Sequence, residues 1–217
     1  MNRIELKKLL ISTGYEIDAF FIDGKPLYKY IIKWLDHNSG LMKELTPVDD
    51  LAITWTNDFD FDGDARFMRY VLEQNHAITP ILSCPDDLDF SCIVIVADVM
   101  KFEDKVVWKR IGSVDHSGES FEEEKNCGIL FLEAYTQEDW ELYGNNIALA
   151  TIDSNEWGKW ISENWSEELF RRRINYTYPY YQNQSNIKWF AECNFEFDRN
   201  EYDALVKKCY LDNGPWS

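Results

Sequence analysis

The chain reads as an α+β protein: a single domain over residues 1–217, with a central mixed or mainly antiparallel sheet and flanking helices. Three observations predict this class. Short apolar runs crowd the middle of the sequence, namely ITPILS, SCIVIVADVMKF and KVVWKRIG. Helical spacing of apolar residues marks stretches on either side of them. A 45% hydrophobic content with 9 Trp, 12 Tyr and 13 Phe in 217 residues is enough for a sizeable core.

In chain order, residues 2–11 read as a short helix, with Ile4, Leu6, Leu9 and Leu10 apolar. YEIDAFFID is a strand closed by the turn Asp23-Gly24. Pro26 then opens a helix in which Leu27, Tyr30, Ile31, Trp34 and Leu35 keep helical spacing. A strand is predicted over 51–61, followed by a helix over 64–75 with Ala65, Phe67, Met68, Val71 and Leu72 as its apolar stripe. The three central runs are strands, the last two joined by the polar turn Glu103-Asp104. Ser91 to Val96 is apolar on both faces, which places that strand inside its sheet. SGESFEEEKN is an acidic loop, CGILFLEAY and NIALATI are strands, and helices follow Thr136 and the capping pattern Asp153 to Glu156. Arg171 to Arg173 close a helix, where cations favour the negative dipole end. Asp198 to Glu201 open the last one, with Leu205, Val206 and Cys209 inward.

The octapeptide NDFDFDGD, residues 57–64, carries aspartate at alternate positions. Asp58, Asp60, Asp62 and Gly63 match the first positions of an EF-hand loop. The twelfth position, which needs a bidentate glutamate, is Arg69. As a strand the segment does better: Leu51, Ile53, Trp55, Phe59 and Phe61 fall on one side, and Ala52, Thr54, Thr56, Asp58 and Asp60 on the other. Gly63 ends the strand, and Asp62 or Asp64 caps the helix that follows.

The formal net charge is -17. Residues 49–168 hold 8 Lys/Arg against 27 Asp/Glu, whereas 1–48 and 169–217 each hold 7 against 6. All the excess negative charge therefore lies in the middle of the chain, clustered at 58–64, 86–89, 103–104 and 119–124. Like charges so close together repel, and the field they make speeds capture of a cationic partner by roughly ten- to a thousand-fold. The same sign argues against nucleic acid and anionic membrane as partners. Five cysteines, an odd number, in apolar surroundings read as reduced thiols of a cytoplasmic protein. A zinc site from Cys84, Cys92 and His76 would need spacing unlike that of zinc knuckles. MNRIELKKLLIS has charges inside its apolar run, so it reads as neither signal peptide nor anchor, and no run is long enough to span a membrane.

Motifs for chemistry are missing: there is no G-x-S-x-G elbow, P-loop or H-E-x-x-H, and His37, His76 and His116 each sit beside turn-like sequence. The chain is therefore read as a non-enzyme without catalytic residues, metal or cofactor. The alternative is a carboxylate-based or metal-assisted hydrolase using the Asp58–Asp64 cluster. YTYPYYQNQSN places Tyr176, Tyr178, Tyr180 and Tyr181 around Pro179, and such rigid amphipathic rings are common in binding surfaces.

One further pattern bears on function. Cys84-Pro85, Cys92, the apolar strand after it, Val106-Val107-Trp108 and Ile111-Gly112, with Ile22-Asp23-Gly24 and Leu27 upstream, resemble small bacterial proteins encoded beside polymorphic toxins. The resemblance is to immunity proteins of polymorphic-toxin and contact-dependent growth inhibition systems. It implies a protein that binds and neutralises a cognate toxin domain, with a basic nuclease, such as an RNase, matching the charge. The residues expected at that interface are Asp58, Asp60, Asp62, Asp64, Asp86, Asp87, Asp89, Glu119, Glu122, Glu123, Glu124, Tyr178, Tyr180 and Tyr181. This reading requires the acidic clusters to gather on one side of the molecule.

Overall fold

In the computed structural model, two antiparallel sheets share one hydrophobic core. The structure describes residues 1–11, 14–36, 48–59, 62–85, 90, 92–118, 163 and 165–211. The first sheet has the order β1-β2-β3, from Ile4–Leu10, Glu16–Ile22 and Lys25–Pro26. Between β2 and β3, Asp23 (φ 51°) and Gly24 (φ 77°) both take the left-handed conformation of a two-residue hairpin turn. Asp23 also receives hydrogen bonds from the Arg3 amide (2.8 Å) and the Asn2 side chain (2.7 Å), so the turn clamps the N-terminal segment. Helix α1, Leu27–Asp36, follows directly.

The second sheet has the order β4-β5-β6-β7-β8, all neighbours antiparallel: Ala52–Ile53, His76–Ser83, Val94–Lys101, Lys105–Val114 and Ile187–Asp198. The α+β class with a mainly antiparallel sheet is what the sequence predicts. β6 lies third of the five, and Val94 through Val99 are buried on both faces, in keeping with their two-sided apolarity. Helix α2, Asp62–Glu73, buries the predicted stripe Ala65, Phe67, Met68, Val71 and Leu72. Helix α3, Trp165–Arg172, continues through a π-helical turn, Arg173–Thr177, into α4, Tyr178–Gln182. Helix α5, Arg199–Leu211, closes the described chain, and its start is capped by Asp198, whose Oδ1 accepts from the amides of Asn200 (2.9 Å) and Glu201 (3.0 Å).

An aromatic cluster welds the two sheets together. Trp55 lies edge-on to Phe20 of β2 (4.8 Å), Trp108 of β7 (5.9 Å) and Tyr202 of α5 (5.4 Å). The polar atoms buried with these rings are satisfied: Trp55 Nε1 donates to the Pro80 carbonyl (3.1 Å) and Trp108 Nε1 to the Tyr202 hydroxyl (3.2 Å). Where β4 stops short, the edge of β5 is finished by a side chain. Gln182 accepts from the Ile78 amide (2.8 Å) and donates to the Ile78 carbonyl (3.0 Å), a one-residue stand-in for a strand.

Two expectations are corrected, one is qualified and one strand is not foreseen. Residues 4–10 form β1 and not a helix. Ile4, Leu6 and Leu10 satisfy period two as well as helical spacing, and seven register pairs with β2 decide between them. The strand expected over 51–61 survives only as Ala52–Ile53. Beyond it Thr54 and Thr56 are buried with Trp55, and the Thr56 hydroxyl accepts from the Asp58 amide (3.0 Å), a local turn that replaces the ladder. Helix α2 accordingly starts at Asp62, which also removes the EF-hand loop, because Asp62 through Arg69 are helical. Arg171 and Arg172 do lie in the last turn of α3, as expected, but the path runs on through the π turn, with Arg172 and Arg173 buried. Finally β8, the longest of the described strands, occupies a stretch for which no element is predicted. Its alternation is broken at Asn194 (φ 49°), where the β7 pairing shifts. The predicted elements at 119–161, the turn at 37–40 with His37, and Cys127 lie outside the described residues.

Candidate functional site

Phe90 is where the acidic segments are tied together. It is buried, and its ring meets Phe59 at 5.4 Å and Phe67 of α2 at 5.2 Å. The Arg173 guanidinium lies 5.3 Å from its centroid, and the Tyr181 hydroxyl donates to its carbonyl at 3.0 Å. Tyr181 in turn meets the His116 ring edge-on at 6.4 Å. Phe59 stands between Asp58 and Asp60, Phe90 follows Asp89, and His116 precedes Glu119 by three residues. Apolar anchors thus hold the roots of three aspartate and glutamate runs, and of the tyrosine segment, around one buried ring.

The sheet places these roots at one end. Antiparallel pairing sets Ser83 of β5 against Val94 of β6, and Val114 of β7 against Ile187 of β8. The connection holding residues 86–89 and the segment leaving β7 toward 119–124 therefore depart from the same end of the sheet. Asp60, Asp86, Asp87, Asp89, Glu119, Glu122, Glu123 and Glu124 themselves lie outside the described residues.

The described members separate into outward and inward groups. Asp58 and Asp62 are exposed; Asp62 accepts from the Ser166 hydroxyl (3.0 Å) and faces Arg69 at 3.5 Å. Asp64, two positions further along α2, points inside at 1% exposure and accepts from Arg173 Nε at 2.7 Å. Helical rather than strand geometry causes the split, since residues two apart on a helix do not share a face. Gly63 sits where α2 touches α3: a Cβ there would lie 2.5 Å from the Ser166 carbonyl. Among the tyrosines, Tyr181 is interior. Tyr180 donates to the Asp115 carbonyl (2.5 Å), and Tyr178 packs edge-on against Tyr70 at 5.4 Å. Burial, then Tyr70, raises the pKa of the Tyr178 hydroxyl. Asp64 and Tyr181, expected at a partner surface, are built into the frame beneath it.

Beside this hub a cavity of about 200 Å³ opens at the same end of the sheet. Ile93 and Val94 from the start of β6, Val114 from β7 and the stem of Lys188 from β8 wall it, with Cys92, Ser113, Asp115 and His116 as its other polar groups. The Asp115 carboxylate accepts from the Ser117 amide (3.1 Å) and faces Lys188 Nζ at 3.4 Å. Hydrogen bonds from Ser117, then the Lys188 charge, hold its carboxyl below the usual carboxylate range. No local sequence pattern announces this cavity. Ser113 is brought beside Lys188 only by the β7–β8 register.

The zinc reading does not form. His76 opens β5 and Cys84 follows its last residue, so a strand of eight residues, about 26 Å, separates them. His76 is instead exposed, with Nε2 3.0 Å from Asp98, whose other oxygen accepts from Arg110 Nε at 2.9 Å. Among the described residues no three His, Cys, Asp or Glu group to hold a metal ion, and no helix is long and apolar enough to cross a membrane. Compared with family models, curated proteins and solved structures, the chain gives no match.

Proposed function

We propose that the protein is a binding antagonist of the immunity type, which captures a cationic toxin domain, a basic nuclease by its charge, through the acidic end of its larger sheet. The observation that carries this reading is the convergence on Phe90 of segments that are separate in sequence and each border a carboxylate run. A second observation supports it. Among the described cations of the acidic segment, most are committed within the fold: Arg66 to Glu167, Arg69 to Asp62, Lys105 to Glu196 and Arg110 to Asp98. Lys101 donates to the Leu72 carbonyl. With 27 Asp/Glu against 8 Lys/Arg in that segment, the excess carboxylates make a field that acts on whatever approaches.

In this reading the partner's phosphate-binding groove meets carboxylates where a nucleic-acid backbone would otherwise lie. Asp58 and Asp62 contribute at the surface, and Asp64, Tyr180 and Tyr181 hold that surface in shape. The hydrolase alternative gains no support from a carboxylate cluster split between solvent and an internal ion pair.

This reading expects the neighbouring gene to encode a large secreted protein with a basic C-terminal domain, and the test is co-expression with that domain in a bacterial host. Growth arrest by that domain should be relieved by this chain, and the association rate should fall steeply as salt rises. Unrelieved arrest, or a rate flat with ionic strength, would overturn the proposal.

A further inference from the structure

The cavity beside Phe90 has a size and a lining that identify its occupant. At about 200 Å³ it is smaller than the range of about 300–1,000 Å³ typical of small-molecule sites, and suits one long side chain. Its walls, Ile93, Val94 and Val114, are apolar and can cover a methylene stem. At its lip stands a carboxylate oriented from behind by the Ser117 amide and held by Lys188 only at 3.4 Å, beyond normal hydrogen-bond length. The Lys188 and Asp115 side chains are partly exposed (37% and 30%), so a cation from outside can reach the carboxylate. An anion drawn to Lys188 would meet Asp115 first, and Asp89 and Glu119 lie only three residues along the chain from Cys92 and His116.

We propose that this cavity is a socket for an arginine side chain of the cationic partner, with Asp115 accepting the guanidinium and Lys188 displaced to solvent. Arginine fits better than lysine because its planar fork can engage both carboxylate oxygens while its stem lies on the apolar wall. The proposal rests on the binding function given above and adds its anchor point. A basic anchor seated on a fixed carboxylate is the kind of contact that can dominate an interface.

Cys92 lines the socket and serves as its reporter. The experiment measures iodoacetamide alkylation of each cysteine by peptide mass mapping, in the whole chain at constant ionic strength, with N-acetyl-arginine methylamide as probe. Alkylation of Cys92 should slow several-fold at saturating probe while Cys84, outside the cavity, keeps its rate. Asp115→Asn should abolish the protection, and the uncharged N-acetyl-citrulline methylamide should protect little. Absence of protection by the arginine probe, equal protection by citrulline, or protection by N-acetyl-glutamate methylamide would each overturn the socket. No toxin takes part, so the outcomes separate. A socket that takes arginine in a chain that relieves no toxin leaves the cavity assignment standing and removes only the immunity reading. Salt-sensitive toxin capture with an inert socket does the reverse.

Discussion

The two ends of the five-stranded sheet are built in opposite ways. At the end formed by His76, Lys101, Lys105 and Asp198, the connections are short and several of their polar groups are engaged, although the Glu103 and Asp104 side chains are exposed. Lys101 donates to the Leu72 carbonyl and its amide to Asn75 (2.7 Å); Arg199 donates to the Phe102 carbonyl (3.0 Å) and to Asp203 (2.6 Å); Lys105 pairs with Glu196 (2.8 Å). At the other end the strands release long acidic segments, a cavity opens between β6, β7 and β8, and the rings beneath are packed around Phe90. Among the described residues, the closed end ties Lys101, Lys105 and Arg199 into the fold, while the open end is where the acidic runs of the sequence leave the sheet. A stable frame and a surface poised for a partner make conflicting demands, and this sheet meets them by separating them along its strands.

The largest effect that distinguishes the ends is expected at the ion pair under Phe90. Asp64 and Arg173 are 1% and 7% exposed at their side chains, and Arg173 also lies over the Phe90 ring. Arg173→Ala leaves a carboxylate inside the protein without its cation and should cost about 3–5 kcal/mol in urea unfolding. Arg199→Ala at the closed end, where both partners are partly solvated, should cost about 0.5–1.5 kcal/mol. Equal losses would mean that the open end is not held by its buried pair.

Next in size is Gly112. A Cβ there would lie 2.6 Å from the Lys188 carbonyl and 2.9 Å from the Ile187 side chain, so the strand carrying Lys188 could not keep its place. Gly112→Ala should destabilise by about 1–3 kcal/mol through overpacking. It should also shift the amide resonances of Ser113 and Lys188 more than those of Lys105 and Asp198. A shift spread uniformly along the strands would break the distinction between the ends.

A smaller thermodynamic but informative kinetic effect concerns exposed charge. Asp58→Lys with Asp62→Lys, and Glu103→Lys with Asp104→Lys, change the net charge equally; each should alter stability by no more than about 0.5 kcal/mol per site, except Asp62, where loss of the Ser166 bond and of a carboxylate in the first turn of α2 should cost about 1 kcal/mol. If the open end receives the partner, the first pair should slow association with the toxin domain roughly tenfold at low salt and the second pair far less. Equal slowing would show that net charge, and not its placement, governs capture.

Much of this frame was legible in the chain. β5, β6 and β7, with the Glu103-Asp104 turn, could be read because two-sided apolarity over short runs has few solutions other than an inner strand. The Asp23-Gly24 hairpin and the cap at Asp198 could be read because turn and cap chemistry is local. What could not be read depends on distant pairing. IELKKLL fits either period until β2 is beside it, and IKWFAECNFEF hides its alternation behind the bulge at Asn194. The acidic runs were visible as charge, but their common root was not. Phe59 and Phe90 look like ordinary strand and loop aromatics, and Tyr181 like a surface ring, until their rings and hydroxyl are seen around one point. Asp64 was indistinguishable from Asp62 in a strand reading, and only the helix phase sends one outward and the other to Arg173.

The smallest expected effect lies at the lip of the cavity and appears as a pH dependence. The folded protein holds the Asp115 carboxyl below its usual range through Ser117 and Lys188. A carboxyl with a lowered folded value adds stability at pH above its unfolded value, near about 3.9. That contribution fades as pH falls through the folded value, because the proton then binds both states alike. Asp115→Asn removes the titration, so the stability difference between the two proteins should be constant above about pH 5 and shrink only on further acidification. Asp23, lowered by the Arg3 amide and Asn2 at the other sheet, titrates in the same window, so the difference between the proteins must be read and not the slope of either alone. A difference unchanged down to pH 2 would mean that Asp115 has no special hold on its charge, and the cavity would lose the fixed carboxylate on which its preference for a cation depends.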